Sequence, residues 1–143
     1  MNNYNHNTRR VARERAMQAL FASQFSDEPP LKVLARFFDS FPDHNRNQSF
    51  IKKIYHCVTK HSAWADEMIK IHLQNWEFDR VAQVDQILLR MGICEMFFMD
   101  DIPPKVTISE MVEIAKIYST QESSSFINGI LDSIFKDYKK KAN

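Results

Sequence analysis

The sequence predicts an all-α protein, and three observations carry that expectation. Apolar residues recur at three- and four-residue spacing along most of the chain, the pattern of helices buried on one side. Only two glycines, Gly92 and Gly129, occur in 143 residues, and both fall inside helical patterns. Strictly alternating apolar and polar runs, the mark of half-buried strands, are poor throughout.

About seven helices are expected. The first spans residues 8–25, after a polar, asparagine-rich start over residues 1–7 that is expected to be mobile. In it Arg9, Arg10 and Arg13 share one face by their i+3 and i+4 relations, while Ala12, Ala16, Ala19 and Leu20 form another. Asp27-Glu28-Pro29-Pro30 breaks the chain and starts the second helix, since proline is tolerated in a first turn. Leu31, Val33, Leu34, Phe37, Phe38 and Phe41 give that helix an apolar face, and Pro42 to Asn47 reads as a loop. A third helix begins at Ser49 and carries Phe50, Ile51, Ile54, Tyr55 and Val58. A bend near His61-Ser62 separates it from a fourth, which carries Trp64, Met68, Ile69, Ile71 and Leu73.

The fifth helix is the most hydrophobic and should be the central core element, from Val81 through Ile87, Leu88, Met91, Ile93 and Met96 to Phe98. Asp100-Asp101-Ile102-Pro103-Pro104 ends it, because proline bars helix at the residue before it. Thr107-Ile108-Ser109-Glu110 has the spacing of a capping box, in which a hydroxyl caps the helix and a glutamate reaches back to the cap amide. Ile108, Met111, Val112, Ala115 and Ile117 follow as the sixth helix. Ser119-Thr120-Gln121-Glu122 repeats the capping pattern before the seventh, built on Phe126, Ile127, Ile130, Leu131, Ile134 and Phe135. Gly129 costs helix stability and therefore suggests a close helix crossing.

Composition narrows the function classes. A hydrophobic content of 44% and an aromatic content of 12% support a packed core and exclude a disordered chain. The length suits one domain over residues 1–143, or two small helical halves packed together. Net charge is only +1, but it is unevenly placed. Four arginines against Glu14 give residues 1–26 a balance of +3, and four lysines against Asp137 give residues 136–143 another +3, leaving −5 between them. Basic ends on an acidic body permit a local footprint on nucleic acid and argue against sequence-blind binding everywhere.

Other classes find no support. With two glycines there is no phosphate-cradling loop, dinucleotide fingerprint or nucleophile elbow. His56, His61 and His72 lack ligand spacing, Asp100-Asp101 reads as a helix stop, and neither a metal nor a cofactor is implied. Cys57 and Cys94 lie far apart in helical contexts and suggest buried free thiols in a reducing compartment. No apolar run is long enough to span a bilayer, so a soluble cytoplasmic protein without membrane contact is expected.

The arginines at the head of the first helix are the one feature that points to a ligand. A cationic cluster leading into an anchored helix suits a polyanion, and guanidinium can hold phosphate bidentately or stack on an exposed base. A solvated helix face is the plainer alternative for the same residues.

The motif Arg9-Arg10-Val11-Ala12-Arg13-Glu14-Arg15-Ala16-Met17-Gln18-Ala19-Leu20-Phe21 resembles the N-terminal arginine motif of the NusB transcription antitermination family. A second match runs from Asp85 through Arg90, Gly92 and Glu95. It continues over Asp101-Ile102-Pro103-Pro104-Lys105-Val106, Glu113-Ile114-Ala115-Lys116 and Phe126-Ile127-Asn128-Gly129-Ile130-Leu131-Asp132, in the family's order and spacing. Residues 27–80 match only in helical pattern.

The resemblance implies two packed helical bundles and a non-catalytic role in processive antitermination, mainly on ribosomal RNA operons. It also implies pairing with NusE, the small-subunit ribosomal protein S10. The pair would hold the single-stranded boxA element of nascent RNA and deliver it to the RNA polymerase elongation complex with other Nus factors. By matching position, Arg9, Arg10 and Arg13 would contact boxA RNA. Phe21 stands where relatives commonly have Tyr. Glu122 and Phe126 would lie where the family surface meets RNA and NusE, and Asp85 would sit on the NusE-facing helix. Arg90 and Lys105 would extend the basic surface. Val11 replaces an arginine found in some relatives, which implies weaker RNA binding. By burial preference alone Phe21 and Phe126 read more readily as core than as contacts, while Asp85 also reads as a solvated helix residue and Glu122 as part of a cap. A helical RNA-recognition or scaffold module, like that carried by rRNA cytosine methyltransferases, is the alternative function. Relatives include both monomers and homodimers, so either state stays open.

Overall fold

The computed structural model describes residues 8–40, 47–74 and 77–142, with side chains to residue 139. The asparagine-rich start and residues 41–46, expected to end the second helix and form most of a loop, lie outside the described residues. The described residues form six α-helices and the 3-10 turn Phe78–Arg80: α1 Arg9–Gln24, α2 Pro30–Ser40, α3 Gln48–His72, α4 Gln83–Phe98 after the turn, α5 Pro104–Tyr118 and α6 Gln121–Ala142. Among the described residues there is no strand. The chain divides into two compact units, residues 1–59 and residues 60–143.

In the first unit α1 begins at Thr8, whose hydroxyl accepts from the Val11 amide at 3.2 Å and satisfies one of the amides left open at a helix start. Val11, Ala12, Ala16, Met17, Ala19 and Leu20 are buried on α1, and Val33 and Leu34 on α2. These two helices pack together. Phe50, Ile51, Ile54, Tyr55 and Val58 of α3 are buried as well. The Tyr55 hydroxyl donates to the Pro30 carbonyl at 2.8 Å, which ties α3 to the first turn of α2. Burial pushes the Tyr55 phenol above its ordinary value, and a hydrogen bond with Ser23 pulls the other way.

In the second unit α4 is buried on nearly every side, from Ile87 to Met96, and packs against α5 and α6. Each fully buried leucine or isoleucine there contributes about 1.5–3 kcal/mol. Glu95 is wholly buried and accepts from the Thr107 hydroxyl at 2.9 Å, so this carboxylate inside α4 is hydrogen-bonded across to α5.

Five expectations are corrected. Among the described residues there are six α-helices where about seven were expected, because α3 runs without a break from Gln48 to His72. His61 and Ser62 cost only tenths of a kcal/mol each as helix residues, and no proline or glycine lies in the span. His61 also stacks on Phe98, with ring centres 4.3 Å apart, and Trp64 meets Phe97 edge-on at 5.3 Å, which fixes the backbone where the bend was expected. Thr107 is not a cap. The helix starts three residues earlier, at Pro104, and Thr107 turns inward to Glu95.

The cap of α6 is Thr120, whose hydroxyl accepts from the Ser123 amide at 3.0 Å. That is one residue later than the Ser119 pattern suggested. The close helix crossing is at Gly92, not Gly129. A methyl group at Gly92 would come within 2.8 Å of a Leu131 methyl, whereas nothing lies within 4 Å of one placed at Gly129. Finally, Cys94 is buried, but Cys57 is only half-buried. The backbone of α6 is helical to Ala142.

Candidate nucleic-acid interface

The first region is the head of α1. Arg9 and Arg10 are exposed in its first turn, which contains no acidic residue. A helix start already carries about half a positive charge, so arginine there opposes stability by a few tenths of a kcal/mol. The same arrangement adds the arginine charges to the helix dipole and attracts anions.

Phe50 organises the cluster. The Arg9 guanidinium carbon lies 4.6 Å from the Phe50 ring centre and that of Arg13 lies 5.3 Å from it. Both separations are within cation–π range. Arg13 is only 2% exposed. The expectation of three surface arginines is therefore corrected to two, because Arg13 is buried against Phe50 beneath Arg9. Val11, at the position where some relatives carry arginine, is 3% exposed and belongs to the core. Phe21 is 37% exposed and packs on Phe25, with ring centres 5.1 Å apart. It is a surface aromatic, not a core residue.

The second region is a cleft of about 370 Å³ in the second unit. Its lining comes from two stretches far apart in sequence, Arg80, Val81, Ala82 and Asp85 on one side and Thr120, Glu122, Ser123 and Phe126 on the other. Asp85 and Glu122 stand in the first turns of α4 and α6, where a carboxylate is favoured by the helix dipole. Asp85 is only 4% exposed, and among the described residues its Oδ1 has no hydrogen-bond partner. An open acceptor at that depth costs about 1–3 kcal/mol and marks a place where a donor belongs. Half-buried Phe126 offers the cleft an apolar ring.

The predicted site residues are thus partly brought together. Asp85, Glu122 and Phe126 share one cleft, and Arg9 and Arg13 share one ring. Lys105 is exposed in the first turn of α5 and lines neither region. Arg90 does not extend a basic surface. Its Nε and Nη2 donate to the two oxygens of Asp66 at 2.6 and 3.1 Å, a fork-to-carboxylate pair inside the second unit. Sequence reasoning missed Arg80, Thr120 and Ser123. Arg80 could have been noticed as a lone cation immediately before the apolar run of α4, although nothing in the spacing ties it to residues some forty positions later.

A further concavity, of about 290 Å³, is lined mainly by Trp64, Met68, Ile71, Phe97, Ile134 and Tyr138. It presents no lysine or arginine and carries Glu67 and Asp137 in its lining, which suits a polyanion poorly. Among the described residues no group of acids, histidines and cysteines could hold a metal ion, and no helix is long and apolar enough to cross a membrane.

Fold and site together define an all-α protein with a cationic helix head and a separate cleft lined by acceptors and an aromatic ring. The chain belongs to the NusB family, whose model matches residues 10–136. It is 38% identical over 129 residues to the transcription antitermination protein NusB of Bacillus velezensis, an alignment covering 90% of this chain and 96% of that protein. Among solved structures, NusB of T. maritima superposes with a TM-score of 0.82 at 34% identity, covering 91% of this chain and 92% of the other. A crystal structure of the antitermination factors NusB and NusE in complex with dsRNA gives 0.81 at 25% identity, covering 91% and 97%.

Proposed function

We propose that this protein is an antitermination factor that binds boxA RNA together with NusE and carries it to the RNA polymerase elongation complex in the cytoplasm, without catalysing a reaction. The observation that supports this most is the exposed Arg9–Arg10 pair at the head of α1, where its charge adds to the positive end of the helix dipole. Positive charge concentrated at a helix start suits an anionic ligand. Family membership, and a NusB–NusE pair crystallised with dsRNA, support RNA as that ligand.

In this reading Arg9 and Arg10 contact RNA phosphates and bases, and Arg13 holds Phe50 and the arginine head from below. Glu122 and Phe126 meet RNA in the cleft of the second unit, and Asp85 lines that cleft where RNA and NusE adjoin. Phe21 provides ring packing only, because it lacks the phenolic hydroxyl of its relatives. Lys105 adds charge at a distance.

The test is binding of fluorescent boxA RNA and of a scrambled RNA of equal length, with and without NusE. Selective binding that tightens with NusE is expected. Equal, weak binding of both RNAs with no NusE effect would reject the antitermination reading and leave a helical scaffold.

A further inference from the structure

The acceptor-lined cleft poses an electrostatic problem. It presents the carboxylates of Asp85 and Glu122 to a ligand that, on the reading above, is a polyanion. Among its lining residues Arg80 is the only cation. We infer that Arg80 is the phosphate-binding residue of this cleft and that Gln86 is the positioning residue that sets it there. The inference rests on the RNA-binding reading and assigns the cleft, specifically, to single-stranded RNA.

Arg80 differs from the other arginines of known pairing. Arg15 donates to Gln18, Arg36 to Glu28 and Arg90 to Asp66. Arg80 is exposed, and among the described residues its guanidinium has no hydrogen bond or ion pair. A guanidinium left open beside an aromatic ring and two open acceptors can take a phosphate while the base it carries meets the ring and the acceptors.

Its backbone, by contrast, is held. Arg80 ends the 3-10 turn Phe78–Arg80, and the Gln86 Nε2 donates to the carbonyls on either side of it, Phe78 at 3.1 Å and Val81 at 2.9 Å. The orientation of that amide is set by Arg90, whose Nη2 donates to the Gln86 Oε1 at 3.4 Å. Arginine can only donate, so the amide oxygen must face it and the NH2 must face the turn. Arg90 is itself anchored by Asp66, and Lys70 and Arg90 lie 5.5 and 5.8 Å from the centre of the Phe78 ring. Asp66, Arg90 and Gln86 thus form a relay ending at the turn that carries Arg80. Ordering this turn in advance removes part of the cost of binding.

The test uses the full chain with NusE and fluorescent boxA RNA at several salt concentrations. Arg80→Ala, Arg80→Lys, Gln86→Met, the double variant Arg80→Ala/Gln86→Met and Arg9→Ala/Arg10→Ala are compared. Arg80→Ala should weaken RNA binding about 3–10-fold and lower the slope of log affinity against log salt by about 0.7, one phosphate on a single strand. Arg80→Lys should restore the slope but only part of the affinity. Gln86→Met keeps the length of the side chain but cannot donate, and should cost about 2–5-fold alone and nothing further beside Arg80→Ala, because two residues acting through one contact are not additive.

An unchanged affinity and slope for Arg80→Ala, with Arg9→Ala/Arg10→Ala still weakened, overturns the Arg80 assignment and leaves the RNA reading intact. An Arg80→Ala variant that loses NusE but binds RNA normally makes the cleft a protein surface and overturns it too. Full additivity of Gln86→Met with Arg80→Ala removes the positioning role. If no RNA binding occurs even in the unaltered chain, the proposed function itself has failed.

Discussion

The arginine head of α1 and the cleft of the second unit are built on opposite principles. The head is a continuous piece of sequence in which charge is concentrated on one turn of one helix, with Phe50 as its base. The cleft joins residues 80–85 to residues 120–126, mixes one cation with two carboxylates, and contains a buried acceptor left open. The first can attract a polyanion from a distance, because exposed charge acts over about a Debye length. The second can discriminate, because an open acceptor beside a ring penalises any ligand that lacks a matching donor. The difference suggests a division of labour in which the head supplies affinity and the cleft supplies selectivity.

That division can be broken by substitution. The largest effect is expected from Arg9→Ala/Arg10→Ala, which should weaken RNA binding at least about 10-fold and lower the salt slope by about 1.4, two phosphates on a single strand. Selectivity for boxA over scrambled RNA should survive, and a filter-binding series at several salts checks both. Asp85→Asn should do the reverse. It swaps an open acceptor for an amide, so boxA preference should fall several-fold while the salt slope stays put. Melting should show stability within about 1 kcal/mol of the unaltered chain, since the buried oxygen had no partner to lose.

Two glycines sharpen the same contrast by separating packing from binding. Gly92→Ala pushes a methyl against Leu131, which is wholly buried. Overpacking of about 1–3 kcal/mol, offset by about 1 kcal/mol of helix propensity, leaves a net loss near 1 kcal/mol in denaturant melts. Gly129→Ala, with open space around it, should stabilise α6 by about 0.5–1 kcal/mol and leave RNA binding unchanged.

Much of the fold was legible because helix periodicity and proline stops are local signals. The ends of α1, α2 and α4 follow from Thr8, Pro29-Pro30 and the Asp100–Pro104 break. The errors arose where one local pattern admits two structures. Thr107-x-x-Glu110 has the spacing of a capping box, but Pro104 had already started the helix, and the hydroxyl was claimed by Glu95. A glycine in a helical pattern announces close packing without saying which of two glycines meets a neighbour.

The site shows the same limit. Arg9 and Arg10 were readable as a surface cluster, but the helical wheel could not show that Arg13, on their face, is buried against Phe50. Arg90 looked like surface charge because its partner, Asp66, lies 24 positions away. Arg80 stands out in the sequence only as a cation before α4, since its meaning depends on Glu122 and Phe126, which only the folded chain brings beside it.

The most direct measurement is amide chemical-shift mapping by NMR as boxA RNA is added to the full chain. Binding through the two regions should move the signals of residues 9–11, those of residues 80–85 and those of residues 122–126, with the Trp64–Tyr138 concavity unaffected. Shifts confined to that apolar concavity, or to the head alone with the cleft silent, would contradict a two-region grip on RNA.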